Sequence, residues 1–198
     1  MATMGRPRCF CPERALDQAL TVFWAKGYEA ATLTDLTQAM GINRPSLYAA
    51  FGNKEELFRK AMDRYVSEKA AYMREALSAP TAFEVARRLL IGAAETMTDP
   101  TQPTGCMAVK ATLSGADETD IVKQELAKIR AEYFAKMVER FSQGQKAGEL
   151  PPQCDIEALT RFIITVAQGM AIQTAAGASR DELMTVAQTA LAAWPGQK

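Results

Sequence analysis

The sequence predicts an all-α protein of about nine helices, with a three-helix domain over residues 1–52 and a second helical domain over residues 53–198. Two observations lead to this fold class. Apolar residues recur at helical spacing along most of the chain, and we find no segment that reads as a strand. Short capping patterns, in which a polar residue is followed three positions later by an acidic one, precede several of these runs. These pairs are Thr32 and Asp35, Asn53 and Glu56, Thr81 and Glu84, and Ser179 and Glu182.

The N-terminal helices carry the most informative pattern, which spans residues 32–58. Residues 13–26 place an apolar stripe on one side of a first helix. A second helix ends at Gly41, which can adopt the left-handed conformation. Asn43 is a good cap for a third helix, and Pro45 fits in its first turn, where a missing N–H is not needed. Two short capped helices across a tight glycine turn are typical of a helix-turn-helix, which places its second helix in the DNA major groove.

The second domain is predicted to begin with a long fourth helix from Asn53 to Leu77, which would link the two domains. The segment 78–80 contains a proline and ends this helix. Caps, apolar periodicity and glycine or proline breaks then predict five more helices. Their approximate bounds are 81–98, 106–114, 118–143, 155–176 and 179–194.

Composition bounds the class of protein. No apolar run approaches the roughly 20 residues that a transmembrane helix needs, and residues 1–10 lack the apolar core of a secretory signal. We therefore expect a soluble cytoplasmic protein that does not contact a membrane. The chain has no histidine, which is the usual general base and metal ligand, and no phosphate-binding glycine loop or nucleophile elbow. We therefore expect no enzyme activity, no metal site and no cofactor.

Three motifs follow one another in the N-terminal region: GY at 27–28, TxxDLxxxxGIN at 32–43 and SLYxxFGNKExLF at 46–58. Together they resemble the DNA-binding domain of the TetR/AcrR family of bacterial transcription regulators. The resemblance covers about residues 5–65, with the turn motif at about 33–52. It implies a homodimeric repressor that leaves a palindromic operator in double-stranded DNA when an unknown small-molecule effector binds the C-terminal domain.

Four residues at the start of the third helix are predicted to contact DNA. Arg44 is the candidate for reading a base, because arginine can form two hydrogen bonds with guanine. Pro45 can touch a thymine methyl group, and Ser46 can contact a base or a phosphate. Tyr48 matches the family's tyrosine that bonds the phosphate backbone; the alternative is that its ring packs under Phe51.

Further DNA contacts are predicted outside that helix. Thr32 and Thr34 lie at a helix N-terminus, where their hydroxyl groups can contact phosphate. Lys54 matches the family's lysine that binds phosphate. Arg6 and Arg8 resemble an arm that enters the minor groove, and the alternative is a disordered basic tail.

The last two predicted helices are strongly apolar, and residues 162–176 are apolar nearly all round. These side chains either fill the core of their own subunit or, as the resemblance implies, pair two subunits in a four-helix bundle. A dimer also suits DNA recognition, because a second half-site about 34 Å away adds to the few bases that one helix reads. The predicted interface residues are Ile164, Gln168, Ala171, Leu183, Ala187, Leu191 and Trp194.

The resemblance further implies an effector pocket among the helices over about residues 54–175. Methionine and aromatic side chains can line such a pocket or can simply form core, and Lys110 and Gln168 can orient a ligand. The sequence does not identify the ligand. The candidate pocket residues are Met73, Met97, Cys106, Met107, Lys110, Phe134, Met137, Gln168 and Met170.

The four cysteines keep an alternative mode of sensing open. In a cytoplasmic chain structural disulfides are not expected, and the pair Cys9 and Cys11 is too closely spaced for a zinc site. Cys106 follows a proline-glycine loop at the start of a predicted helix, whose dipole would favour the thiolate, and Lys110 lies four residues on. A thiol-based redox or electrophile sensor that uses Cys106, or Cys9 and Cys11, is therefore one alternative. An alternative of another class is a non-specific DNA-packing protein, which a discrete palindrome would exclude.

Overall fold

The computed structural model describes residues 10–113 and 120–196, and every regular element in those ranges is helical. The ten α-helices are α1 (Pro12–Ala30), α2 (Leu33–Met40), α3 (Arg44–Phe51), α4 (Lys54–Arg64), α5 (Ala71–Leu77), α6 (Ala82–Met97), α7 (Met107–Leu113), α8 (Asp120–Lys146), α9 (Ile156–Ala175) and α10 (Arg180–Ala192). The predicted all-α class is therefore confirmed. None of the helices in those ranges combines the length and the apolarity that crossing a membrane requires.

The structure has one helix more than predicted because the long fourth helix is divided. α4 ends at Arg64, a π-helical turn follows over Tyr65–Lys69, and α5 begins at Ala71. In this turn the N–H of Ala70 bonds the carbonyl of Tyr65, five residues back, at 2.9 Å. A π-helical turn widens the helix by one residue and is frequently found at functional sites.

The end of α1 and the start of α7 also differ from the prediction. The first helix continues to Ala30, although its geometry is broken at Gly27, whose φ is 78° and ψ is 171°. α7 begins at Met107, one residue later than predicted, and the carbonyl of Cys106 accepts its first hydrogen bond, from the N–H of Lys110 at 3.0 Å. The chain around Cys106 is therefore a loop that enters a short helix.

The predicted capping pairs form as expected in most cases. Complete capping boxes, with both reciprocal hydrogen bonds, begin at Thr32, Asn53 and Ser179. At Thr81 the hydroxyl oxygen accepts from the N–H of Glu84 at 3.2 Å. These local bonds fix where α2, α4, α6 and α10 begin.

A first buried cluster, termed the N-terminal core, holds α1 to α4 together. It comprises the buried apolar residues between Ala15 and Ala70 together with Met107, Ala111 and Leu126. Within it, the Phe58 ring meets the rings of Phe23 and Tyr28 edge-on, at centroid distances of 5.1 and 5.0 Å. Because Phe58 lies beyond the predicted domain boundary at residue 52, we propose that the DNA-binding domain includes α4.

A second buried cluster, termed the C-terminal core, is built around α6. It comprises the buried apolar residues between 76 and 97 and between 137 and 194. Leu90 and Ala93 on the inner side of α6 are fully buried, and α9 and α10 both pack against this helix. The Trp194 ring lies edge-on to the Phe141 ring at 5.5 Å and closes the end of this core.

We expect Phe58→Ala to lower the free energy of unfolding by about 3–5 kcal/mol, because it removes the ring that joins α1 to α4 and leaves a cavity. Urea unfolding followed by circular dichroism measures this change. Asp63→Ala, on the exposed side of the same helix, is the control and should change stability by less than about 0.5 kcal/mol. Equal losses in the two variants would contradict the described packing.

Candidate nucleic-acid interface

The start of α2 is held by a capping box and an ion pair. The N–H of Asp35 donates to Thr32 Oγ1 at 3.1 Å, and the N–H of Thr32 donates to Asp35 Oδ2 at 3.0 Å. Lys26 Nζ of α1 lies 2.7 Å from Asp35 Oδ1. The hydrogen bonds from Lys26 and then from Thr32 lower the pKa of the Asp35 carboxyl from 3.8 to about 2. This carboxylate therefore ties the first helix to the second at neutral pH.

The turn between α2 and α3 depends on a left-handed glycine. Gly41 has φ 66° and ψ 30°, a conformation that costs a residue with a side chain about 1–2 kcal/mol. The N–H of Ile42 then bonds the carbonyl of Thr37 at 3.1 Å, which closes the turn. Asn43 Oδ1 accepts from the N–H of Ser46 at 2.9 Å and starts α3. The chain thus reaches α3 within three residues of α2, as the helix-turn-helix prediction requires.

α3 has an inner side and an outer side. Leu47 and Phe51 are 0 % and 4 % exposed and pack in the N-terminal core. Arg44, Pro45 and Tyr48 are exposed on the outside, and the Tyr48 side chain is 48 % exposed. The Tyr48 ring therefore does not pack under Phe51, which was the alternative to a DNA contact.

The Arg44 side chain is oriented by a neighbouring helix. Its Nη2 donates to Thr34 Oγ1 of α2 at 3.2 Å. Arg44 and Tyr48 are four residues apart and therefore lie on the same side of α3. The structure thus brings three predicted DNA contacts, Arg44, Thr34 and Tyr48, to one exposed surface.

The remaining predicted contacts have different surroundings. Lys54 Nζ lies 4.5 Å from the centre of the Tyr28 ring and donates to the carbonyl of Glu29 at 3.4 Å. Burial of its stem lowers the pKa of this amine. Thr32 is exposed but its hydroxyl already takes part in the capping box. Arg6 and Arg8 lie outside the described residues.

Two family models match the chain: "Bacterial regulatory proteins, tetR family" over residues 15–61 and "Tetracyclin repressor-like, C-terminal domain" over residues 84–191. The chain belongs to the TetR family of bacterial regulatory proteins. The HTH-type transcriptional repressor ComR of Escherichia coli K12 is 36 % identical over 193 residues, which cover 96 % of this chain and 92 % of ComR. The TetR family transcriptional regulator CifR, solved as a cysteine mutant with 26-bp double-strand operator DNA, superposes with a TM-score of 0.91. It is 41 % identical, and the match covers 96 % of this chain and 100 % of that chain.

Membership of the TetR family confirms the resemblance seen in the sequence motifs. The matching family models and relatives are transcription regulators and not enzymes, so the chain is not an enzyme. The family model over residues 15–61 also extends beyond residue 52, which supports a DNA-binding domain that includes α4.

Four of the predicted pocket methionines belong to the two buried cores of the described structure. Met97, Met107, Met137 and Met170 are at most 4 % exposed and fill the two cores. Their part in binding an effector stays a prediction. Two clefts of about 350 and 200 Å³ open on the described surface, and their linings include none of the nine predicted pocket residues.

The other five predicted pocket residues are partly buried: Met73, Cys106, Lys110, Phe134 and Gln168. Phe134 lies under the guanidinium group of Arg161, at 4.8 Å from the ring centre. Cys106 and Lys110 instead lie together where the two cores meet. Their role in binding an effector stays a prediction.

Five residues of the predicted dimer interface contribute to the C-terminal core of their own subunit. They are only 0–7 % exposed. Ile164 and Gln168 are partly buried. The assignment of all seven residues to a dimer interface stays a prediction. The five residues in the core are Ala171, Leu183, Ala187, Leu191 and Trp194.

The junction between the two domains was not predicted. Trp24 Nε1 of α1 donates to the carbonyl of Gly105 at 3.0 Å, and Lys110 Nζ donates to the carbonyl of Trp24 at 3.3 Å. The Tyr65 hydroxyl donates to Cys106 Sγ at 3.4 Å. Each bond joins residues more than 40 positions apart, so no local sequence pattern could have indicated it. The segment around Cys106 therefore holds the first helix of the DNA-binding domain by direct bonds.

We expect Asp35→Asn to lower stability near neutral pH, because it removes the ion pair with Lys26 and replaces the charged acceptor of the Thr32 N–H with a neutral amide oxygen. A carboxyl whose pKa is lowered on folding stabilises the native state above its unfolded pKa, and this stabilisation is lost as the pH falls through the folded pKa. The difference between Asp35→Asn and the parent should therefore shrink as the pH falls from about 4 towards about 2. Urea unfolding at several pH values measures it.

Asp63→Asn controls for the removal of one negative charge from an exposed position of the same domain. It should leave the stability at neutral pH almost unchanged. A difference between Asp35→Asn and the parent that stays constant down to pH 2 would contradict the role given to the carboxylate.

Proposed function

We propose that the protein is a dimeric repressor that binds a palindromic operator through α3 and leaves it when an effector acts on the C-terminal domain. The observation that carries this proposal is the outer side of α3, where Arg44 is exposed and held by Thr34. A positioned arginine at the start of a recognition helix can bond a guanine in the major groove through two hydrogen bonds. Tyr48 and Lys54 then supply contacts to the phosphate backbone, which fix the register of the helix.

The relatives support repression and operator binding. ComR bears the name of a transcriptional repressor, and CifR was solved with double-strand operator DNA. Both matches cover more than nine-tenths of each chain. This chain therefore has the same two domains as these relatives over nearly its whole length, which supports the same mode of action here.

An exposed apolar side of α9 and α10 supports the dimer. Phe162, Ile172 and Val186 are 44 %, 51 % and 42 % exposed, whereas the other large apolar residues of these helices are buried or partly buried. Phe162 and Ile172 lie on the side of α9 that faces away from the core, and Gly169 lies between them. A Cβ added at Gly169 would meet no atom of its own chain, so a partner helix can approach closely at this point.

The effector is proposed to act through the bonds between the domains. Trp24 is bonded at its side chain by Gly105 and at its carbonyl by Lys110. An effector that favours a conformation in which these bonds are broken would release the first helix and change the spacing of the two heads. Only such unequal binding to two conformations can shift the protein away from DNA.

We expect the purified protein to enrich a palindrome from a random pool of DNA duplexes at physiological salt. Arg44→Ala should weaken binding to that duplex by about 1–3 kcal/mol, roughly 5- to 150-fold, and relax the sequence preference at one position of each half-site. Tyr48→Phe should weaken binding to all sequences and leave the salt dependence almost unchanged, because the hydroxyl that it removes carries no charge. Titration by fluorescence anisotropy measures both.

Lys136→Ala, which removes an exposed cation from α8, is the matched control and should leave DNA binding unchanged. Binding without any enriched sequence, with an equally strong salt dependence, would favour a DNA-packing protein instead. Loss of binding in Lys136→Ala equal to that in Arg44→Ala would contradict the assigned surface.

We expect Ile172→Glu to convert the dimer into a monomer at micromolar concentration, because a charge would be buried in the proposed interface. Light scattering after size exclusion measures the mass. Val66→Glu is the matched control, since Val66 is another exposed apolar residue, at 37 % exposure, in the π-helical turn. A dimer that persists in Ile172→Glu, or that is lost in both variants, would contradict the proposed interface.

A further inference from the structure

The hydroxyl of Thr34 is bonded to the side chain that is proposed to read a base. Arg44 Nη2 donates to Thr34 Oγ1 at 3.2 Å, and the two residues are ten positions apart. Thr34 belongs to α2 and Arg44 to α3, and both are exposed. The bond crosses the turn at Gly41, so it forms only when the two helices hold the helix-turn-helix geometry.

Thr34 is a well-fixed acceptor. It lies in the first turn of α2, whose start is held by the capping box and by the ion pair of Lys26 with Asp35. The backbone carbonyl of Thr34 also accepts from the Thr37 hydroxyl at 3.2 Å. A threonine side chain in a helix has only two preferred χ1 rotamers. The hydroxyl oxygen that receives the Arg44 bond therefore has few positions open to it.

Arg44 gains from such an anchor because its side chain is long. Its backbone is fixed as the first residue of α3, where Asn43 caps the helix. The guanidinium group, in contrast, samples many rotamers unless something holds it, and ordering it on DNA costs conformational entropy. A hydrogen bond that is already formed in the free protein lowers this cost.

The bond to Thr34 leaves the guanidinium group able to read guanine. Arginine has five N–H donors in one plane. One edge of the group carries Nε–H and one hydrogen of Nη2, and the other edge carries one hydrogen each of Nη1 and Nη2. Because Thr34 accepts from Nη2, it occupies one edge and leaves the other with two parallel N–H groups. This free edge matches O6 and N7 of guanine.

We propose that Thr34 is a positioning residue for base recognition, whose hydroxyl holds the Arg44 guanidinium in the orientation that reads guanine. This inference rests on the proposed function, in which Arg44 reads a base. It differs from the expectation that Thr34 contacts phosphate. A phosphate contact strengthens binding to every sequence, whereas a residue that acts through Arg44 strengthens binding only where Arg44 meets its guanine.

The test compares two duplexes. The first is the duplex enriched from the random pool, and in the second the guanine at which Arg44→Ala relaxes the preference is replaced by adenine. We expect Thr34→Val to bind the first duplex about three- to tenfold more weakly, because the bond to the hydroxyl is lost. Its affinity for the second duplex should stay within about twofold of the parent. Fluorescence anisotropy measures both.

Two further variants at the same position separate the hydroxyl from the shape of the side chain. Thr34→Ser keeps the hydroxyl and should keep both affinities within about twofold. Thr34→Ala lacks the hydroxyl and has a high helix propensity, so it should repeat the result of Thr34→Val. Circular dichroism checks that each variant keeps its helices.

A double variant tests whether Thr34 acts through Arg44. In the Arg44→Ala background, Thr34→Val should weaken binding further by less than about twofold, because the side chain that it positions is absent. The matched control is Thr21→Val in α1, where the Thr21 hydroxyl bonds the carbonyl of Asp17 in its own helix at 2.9 Å. This control should leave both affinities unchanged.

The outcomes separate this inference from the proposed function. A protein that enriches no sequence, or whose Arg44→Ala variant relaxes no position, overturns the proposed reading by Arg44 and the role of Thr34 with it. Sequence-specific binding that Arg44→Ala relaxes, with equal losses on the two duplexes or no loss on either in Thr34→Val, overturns the positioning role alone. A loss in Thr34→Ser as large as that in Thr34→Val would overturn it as well.

Discussion

The hydrogen bond from the Trp24 indole to the carbonyl of Gly105 is the contact on which the relation between the two domains depends. Trp24 is fully buried, and a buried N–H without an acceptor would cost about 1–3 kcal/mol. Its acceptor lies 81 positions further along the chain, in the loop before α7. The N-terminal core can therefore bury this side chain without penalty only while the loop from the second domain stays in place. Folding of the DNA-binding domain therefore depends on the docking of the second domain against it.

The two domains also depend on each other because they share buried apolar residues. Met107, Ala111 and Leu126 belong in sequence to the second domain but are buried in the N-terminal core. The π-helical turn Tyr65–Lys69 lies at this junction, where a straight α-helix would place the residues that follow Tyr65 about 100° away from their observed direction. The helix that links the domains is thus irregular at the residue that contacts Cys106. Packed interfaces tend to switch between two discrete arrangements and do not deform continuously. A small displacement on one side of this junction is therefore expected to shift the residues on the other side as well.

The sequence was sufficient wherever the deciding bonds are local. The capping box of Thr32 and Asp35 and the left-handed Gly41 each involve residues within a few positions, so their patterns predicted the turn and the sides of α3 correctly. The sequence was insufficient where two arrangements need the same residue types. Leu183 and Trp194 would be apolar whether they face their own core or a second subunit, so the sequence alone did not show that both contribute to the C-terminal core. The contact of Tyr65 with Cys106 joins residues 41 positions apart and has no signature in either segment.

The zero net charge of the chain is compatible with a DNA-binding surface because of how its cations are paired. Arg64 contacts the carboxylates of Glu13, Asp17 and Glu68, and Lys26 pairs with Asp35. These cations are neutralised by the acids that they bind and serve to join helices. Arg44, in contrast, bonds a hydroxyl, and Lys54 bonds a carbonyl and lies over a ring. A neutral hydroxyl orients the Arg44 guanidinium without cancelling its charge, so Arg44, at the start of α3, keeps that charge for the proposed contact with DNA.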